Sequence, residues 1–84
     1  MKAIAEPAMD LALQRAGIAK GGLFVMMHPK AIETEGKGIF EYALHENGSD
    51  VPSVKARATV DIFSGDVQAE ASAVGWSPWL PPAA

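Results

Sequence analysis

From Val54 to Phe63 the residues alternate: Val54, Ala56, Ala58, Val60 and Ile62 fall on one face, Lys55, Arg57, Thr59, Asp61 and Phe63 on the other. A period of two marks a strand with one buried face. The alternation resumes at Val67, Ala69, Ala71 and Ala73, and Ser64-Gly65 offers a two-residue turn between the runs. Folding there sets Ile62 opposite Val67, Val60 opposite Ala69, Ala58 opposite Ala71 and Ala56 opposite Ala73. Apolar meets apolar at every step, and Arg57 on the other face comes diagonal to Glu70. An antiparallel hairpin is expected. Its buried face is mostly alanine, a poor strand former. Small side chains let a helix approach closely, so this face reads as the floor on which a helix docks.

The N-terminal segment supplies that helix. Met9, Ala12, Leu13 and Ala16 follow the i, i+3, i+4, i+7 pattern, while Glu6, Asp10 and Gln14 recur on the other side. Pro7 is expected in the first turn, where its missing N–H costs nothing. Carboxylates near the start and Arg15 near the end suit the helix dipole. Gly17 ends the helix, and with a left-handed Gly17 the chain can close a Schellman motif in which Ile18 packs back on Leu13.

Two further strands precede the hairpin. Leu23 to His28 is a short apolar run bounded by Gly21-Gly22 and Pro29, and Ile39 to His45 alternates with Phe40, Tyr42 and Leu44 on the core face. A two-residue turn at Asn47-Gly48 would pair Glu41 with Val54 and join the wrong faces, so the loop from Glu46 to Ser53 must be wider or bulged. Between Pro29 and Gly38 the pattern allows a turn of helix ending at Gly36 or a hairpin tip at Gly36-Lys37. The expected architecture is α+β: an N-terminal helix on one face of a four-stranded, largely antiparallel sheet, an α-β-β-β-β meander. Residues 1–75 form this single small domain, and residues 76–84 form an extended, Trp- and Pro-rich C-terminal tail.

Composition narrows the function classes. The 84 residues contain no cysteine, so disulfides, thiolate nucleophiles and cysteine-based zinc sites are excluded. Seven basic residues against ten acidic ones leave a net charge of −3. A nucleic-acid binder carries a basic footprint, because counterion release supplies much of its affinity; direct nucleic-acid binding is not expected. Ten carboxylates spread from Glu6 to Glu70 are also too sparse for a DNA mimic. The longest run of large apolar residues is Leu23 to Met27, far short of a membrane span, and the N-terminus does not read as a secretory signal. A soluble, cytoplasmic protein is expected.

Catalytic constellations are weak. His28 and His45 have Glu33, Glu35, Glu46 and Asp50 near them in sequence, but no metal-ligand spacing, and histidines at strand ends are more often simply solvated. Ser49 and Asp50 follow His45, yet Asn47-Gly48 makes that stretch a turn first, and no serine sits in a Gly-x-Ser-x-Gly elbow. Glu33 and Glu35 at i, i+2 are no tuned acid–base pair. Gly36-Lys37-Gly38 lacks the rest of a phosphate-binding loop. No catalytic residue, cofactor or metal is assigned.

The face of the hairpin away from the helix is more informative. It carries Lys55, Arg57, Phe63 and Glu70, with Trp76 next in phase, and Ile39, Glu41, Ala43 and His45 extend it. Aromatic residues and arginine dominate interface energetics, so Lys55, Arg57, Phe63, Glu70, Trp76 and Trp79 are the candidate partner-binding residues. The tail GWSPWLPPAA cannot continue as a central strand, because Pro78, Pro81 and Pro82 fix φ and lack N–H groups. It is expected to run extended and to fold back as a strap over the sheet or its edge; the competing reading leaves Trp79 exposed as a hot spot for a partner. Its WSPW resembles the tryptophan motif of thrombospondin-type repeats over four residues only. Those repeats depend on cysteines and secretion, so no membership follows. The chain therefore reads as a non-catalytic protein–protein interaction module. Small inhibitors and adaptors acting on larger protein complexes, of the kind found in bacteriophages and mobile elements and including anti-CRISPR inhibitors, are built on this scale. A self-assembling structural protein, a homodimer included, is the alternative, and a small metal-dependent enzyme the third class.

Overall fold

The computed structural model describes residues 2–46, 48 and 50–80. In chain order the elements are α1 (Lys2–Ala16), β1 (Phe24–Met27), α2 (Pro29–Glu35), β2 (Lys37–Leu44), β3 (Ser53–Asp61) and β4 (Val67–Trp76). The strands form one antiparallel sheet in the order β1-β2-β3-β4. This is the expected α+β meander with one addition, the short helix α2 inserted between β1 and β2. Among the described residues no helix is long and apolar enough to cross a membrane.

Helix α1 lies across β3 and β4 and touches β2. Its buried stripe is Ala5, Met9 and Leu13, one residue per turn, and these meet Phe40, Tyr42, Ala56, Ala58 and Val60 of the sheet. Ala56 and Ala58 are fully buried under it, the close helix approach that small side chains permit. Ala12 and Ala16 lie to the side of the stripe, half-buried and exposed. The start differs from expectation: the helix begins at Lys2, so Pro7 lies inside it. Burying Ala5 on the sheet extends the helix toward the N-terminus. The carbonyl that Pro7 leaves without an N–H partner belongs to Ala3, which is exposed to water. The other end follows the sequence. Gly17 is left-handed at φ 72°; its N–H reaches the Gln14 carbonyl at 3.1 Å and the Ile18 N–H reaches Leu13 at 2.9 Å. That pair of bonds is a Schellman motif, with Ile18 packed on the core.

The helical alternative holds between Pro29 and Gly36. Proline opens α2 at its first position, and Gly36 closes it at φ 66° with its N–H on the carbonyls of Ala31 and Ile32. The β2–β3 connection is wide, and the register shifts between Tyr42 and Ala43 so that Tyr42 faces Ala56 and Ala43 faces Val54. The bulge, at Lys55, resolves the parity conflict. Asn47 and Ser49 lie outside the described residues.

The β3–β4 hairpin keeps its faces but not its expected register. Val60 pairs with Val67, Ala58 with Ala69 and Ala56 with Ala71, two residues away from the two-residue-turn alignment. Asp61 sets this wider loop. Its carboxylate accepts the N–H groups of Phe63 at 2.8 Å and Ser64 at 3.0 Å, and its backbone N–H closes the loop on the Asp66 carbonyl at 2.8 Å. Arg57 consequently sits directly opposite Glu70 rather than diagonal to it. Further along, residues 72–75 of β4 loop out against the single Lys55 before Trp76 rejoins Val54.

Candidate functional site

The sheet face away from α1, which carries the candidate partner-binding residues, is closed at its centre. Ile39, Glu41 and Ala43 of β2 are buried there, under α2 at one corner and the C-terminal tail across the middle. Glu41 has no solvent exposure at all, which a carboxylate tolerates only when its oxygens are satisfied.

Three chain segments satisfy it. Glu41 stands opposite Arg57 on β3 and opposite Met26 on β1, which places His28 on the diagonal. Arg57 donates from Nε to Glu41 Oε2 at 2.6 Å, and its Nη2 completes the ion pair. His28 Nε2 hydrogen-bonds Oε1, the ring N–H as donor and the carboxylate oxygen as acceptor. The tail supplies the third donor: the backbone N–H of Trp79 lies 3.1 Å from Oε1 and 3.3 Å from Oε2. Arg57 and His28 also set the tail's course. Arg57 also donates to the Ser77 carbonyl at 3.2 Å and lies over the Trp76 ring at 5.5 Å. The Trp79 ring stands 5.4 Å from the His28 imidazole. With His28, Arg57 and Trp79 taking the carboxylate's acceptor positions, the arrangement fastens the tail to the sheet.

The candidate residues therefore divide. Arg57, Trp76 and Trp79 come together, but around Glu41 and turned toward the sheet. Lys55 sits at the bulge, 7% exposed, donating to Glu46 at 2.8 Å and to the Ala73 carbonyl at 3.0 Å. Lys55, and after it Ser53, hold the Glu46 carboxyl below its ordinary range. Gly75 makes this crossing possible. At φ 81° a Cβ there would stand 2.3 Å from Ser53 Oγ and 3.0 Å from the Val54 carbonyl. Phe63 and Glu70 remain exposed, Glu70 directly across the β3–β4 ladder from Arg57. Phe63, 88% exposed, lies against the end of α2, its ring edge 3.5 Å from the point where Gly36 would carry a Cβ.

His28 and His45 are kept at opposite ends of the β1–β2 ladder. His28 follows the Met27–Phe40 pair, while His45 stacks on Phe24 at 5.6 Å. Among the described residues no three His, Asp or Glu side chains converge as a metal site. On the helix side, Tyr42 is pushed up in pKa, first by burial and then by Asp10, and Lys20 bridges the two, its ammonium 3.0 Å from Asp10 and 5.3 Å from the Tyr42 ring centre.

Glu41, at the centre of this cluster, is the residue that the sequence did not single out. Its signal was available: aligning Tyr42 with Ala56 on the core face necessarily puts Glu41 against Arg57. Comparison with protein-family models, curated proteins and solved structures finds no match.

Proposed function

We propose that the chain is a non-catalytic protein-binding module, a small inhibitor or adaptor that docks on a larger protein complex. The analogy is to the single-domain proteins of bacteriophages and mobile elements, anti-CRISPR inhibitors among them, and it is one of class only. A cytoplasmic location goes with that role.

The observation that carries the reading is the apolar corner around α2. Met27 at its entry is 58% exposed, Ile32 on it 38% and Phe63 at its exit 88%. Large apolar side chains displayed together mark interaction surfaces more often than isolated ones do. The corner also has the make-up of an interface, with an apolar centre and a charged rim. Its shallow groove, 170 Å³, is lined by Met27, Pro29, Ile32 and Ile39, and the exposed Lys30–Glu33 pair stands beside it. The cations expected to bind a partner, Lys55 and Arg57, are committed internally, which moves the proposed surface to this corner and keeps only Phe63 as its anchor.

Affinity capture from the native cell with wild type and Phe63→Asp tests the proposal. One large partner in stoichiometric amount, lost on substitution at unchanged melting temperature, is the expected result. An anchor of this kind typically contributes 2 kcal/mol or more. Equal recovery by both proteins overturns the assignment of the surface.

A further inference from the structure

We propose that two copies of this chain join edge to edge through β4, as an antiparallel pair about a two-fold axis at Ala69. This inference uses a different surface from the α2 corner and stands or falls separately from it.

Among the described residues β4 ends the sheet, and no strand neighbours its outer edge. Natural edge strands are guarded by lysine, proline or bulges. β4 contains neither lysine nor proline, and its bulge begins only after Ala71. The stretch from Val67 to Ala71 is therefore regular and centred on Ala69, with Glu70 as its one charged side chain. The direction of its free backbone groups follows from the hairpin. Asp61 and Asp66 are bonded across the loop, so antiparallel alternation turns the N–H and C=O groups of Val67, Ala69 and Ala71 away from β3. Pairing about Ala69 sets Ala69 against Ala69 and each Val67 against the partner's Ala71. Every outward group then finds a complement.

Side-chain charge selects the same alignment. Centred on Ala69, Gln68 faces the partner's Glu70 twice, an amide donor against a carboxylate acceptor. A centre at Gln68 sets Asp66 against the partner's Glu70, and a centre at Glu70 sets two carboxylates face to face. Like charges directly opposite are destabilising. Centres further along run into the bulge or the loop. On the helix side, β4 and α1 border an open cleft of about 610 Å³ lined by Leu11, Val67, Ala69 and Ala71 together with the charged Arg15 and Glu70. The two clefts would meet at the axis, each bringing a half-exposed Leu11. The second copy thus also covers apolar surface, in an isologous contact that closes at two chains.

Sedimentation of the full chain at micromolar concentration tests this, with a dimer expected. Ala69→Pro removes only an outward N–H, so the monomer keeps its bonds while the dimer loses its central pair; a monomer with unchanged circular dichroism is expected. Should that variant unfold, Gln68→Glu places carboxylates opposite each other twice and should weaken dimerisation about tenfold with the fold intact. The chain has no cysteine, so Ala69→Cys reports geometry directly. Residues bonded across such a ladder lie about 5.5 Å apart at Cα, within disulfide reach. Mild oxidation should link Ala69→Cys into dimers and leave Gln68→Cys unlinked. A monomeric wild type, assemblies that grow with concentration, a dimer insensitive to both edge variants, or the reverse crosslinking pattern overturns the proposal.

Discussion

Glu41 is where the folded chain concentrates its polar contacts, and its chemistry cannot be replaced by a neutral isostere. Glu41→Gln would take from Arg57 its buried ion-pair partner and turn an amide donor toward N–H donors already aimed at the carboxylate. Breaking a buried pair from one side typically costs 3–5 kcal/mol. Arg57 keeps some solvent contact, so about 3 kcal/mol is expected in urea denaturation, a large share of a domain's usual 5–15 kcal/mol. Glu70→Gln, on the exposed strand opposite Arg57, should stay within about 0.5 kcal/mol. A second contrast separates two left-handed glycines. Gly17 has open space where a Cβ would go, whereas Gly75 has Ser53 Oγ, the Val54 carbonyl and Lys55 Nζ at 3.2 Å. Gly17→Ala should cost about 1 kcal/mol for its backbone alone. Gly75→Ala should cost clearly more, about 2 kcal/mol or above, since the bulge must also open. Equal losses in thermal denaturation would show that the β3–β4 crossing yields easily. Neither residue is conspicuous in the sequence. Glycine is common there, and Glu41 looks like any polar member of an alternating strand until its partner strand is aligned.

At the scale of elements, the faces were legible and the register was not, for one physical reason. Side chains repeat every two residues along a strand, so the alanine stripe specifies which residues face α1 yet tolerates a shift by two. The choice between those alignments lies in the loop, where Asp61 gathers two backbone N–H groups that no hydropathy pattern encodes. Those bonds, Ser64's first and then Phe63's, hold the Asp61 carboxyl below its ordinary value. A depressed folded pKa means the loop's support is complete above the unfolded value and withdrawn as pH falls through the folded one. Below about pH 4 the amide resonances of Phe63 and Ser64 should therefore shift together, and Asp61→Asn should abolish that step. A flat titration would place the loop's stability elsewhere. Helix docking makes a separate prediction. Ala58 is fully buried beneath α1, whereas Ala71 at the margin is only half-buried. Overpacking typically costs 1–3 kcal/mol, and in a domain of this size each kcal/mol moves the melting temperature by about 4–8 °C. Ala58→Leu should lower it by about 5 °C or more, and Ala71→Leu by less than half as much.

In the whole molecule β2 becomes the central layer, with α1 on one side and α2 and the tail on the other, so that residues 38–43 are buried on both faces. Proline content made it legible that the tail leaves the sheet. Its docking point was not legible, because the contact with Glu41 uses the backbone N–H of Trp79, which every residue but proline possesses, across 38 positions of sequence. That contact gives the strap a specific energetic signature. Deleting residues 78–84 removes Trp79 from beside His28 and one donor set from Glu41, and uncovers apolar surface worth about 1–3 kcal/mol. The remaining Trp76 should gain water around its ring, so its fluorescence should move to the red. Area alone would make this loss independent of other substitutions, whereas a latch would not. In a Glu41→Gln background the anchoring carboxylate is already gone, so the same deletion should cost measurably less than in wild type. Contacting groups typically couple by 0.5–3 kcal/mol in such a cycle. Additive losses would mean that the tail rests on the sheet by hydrophobic burial alone, and that Glu41 serves Arg57 and His28 without holding Trp79.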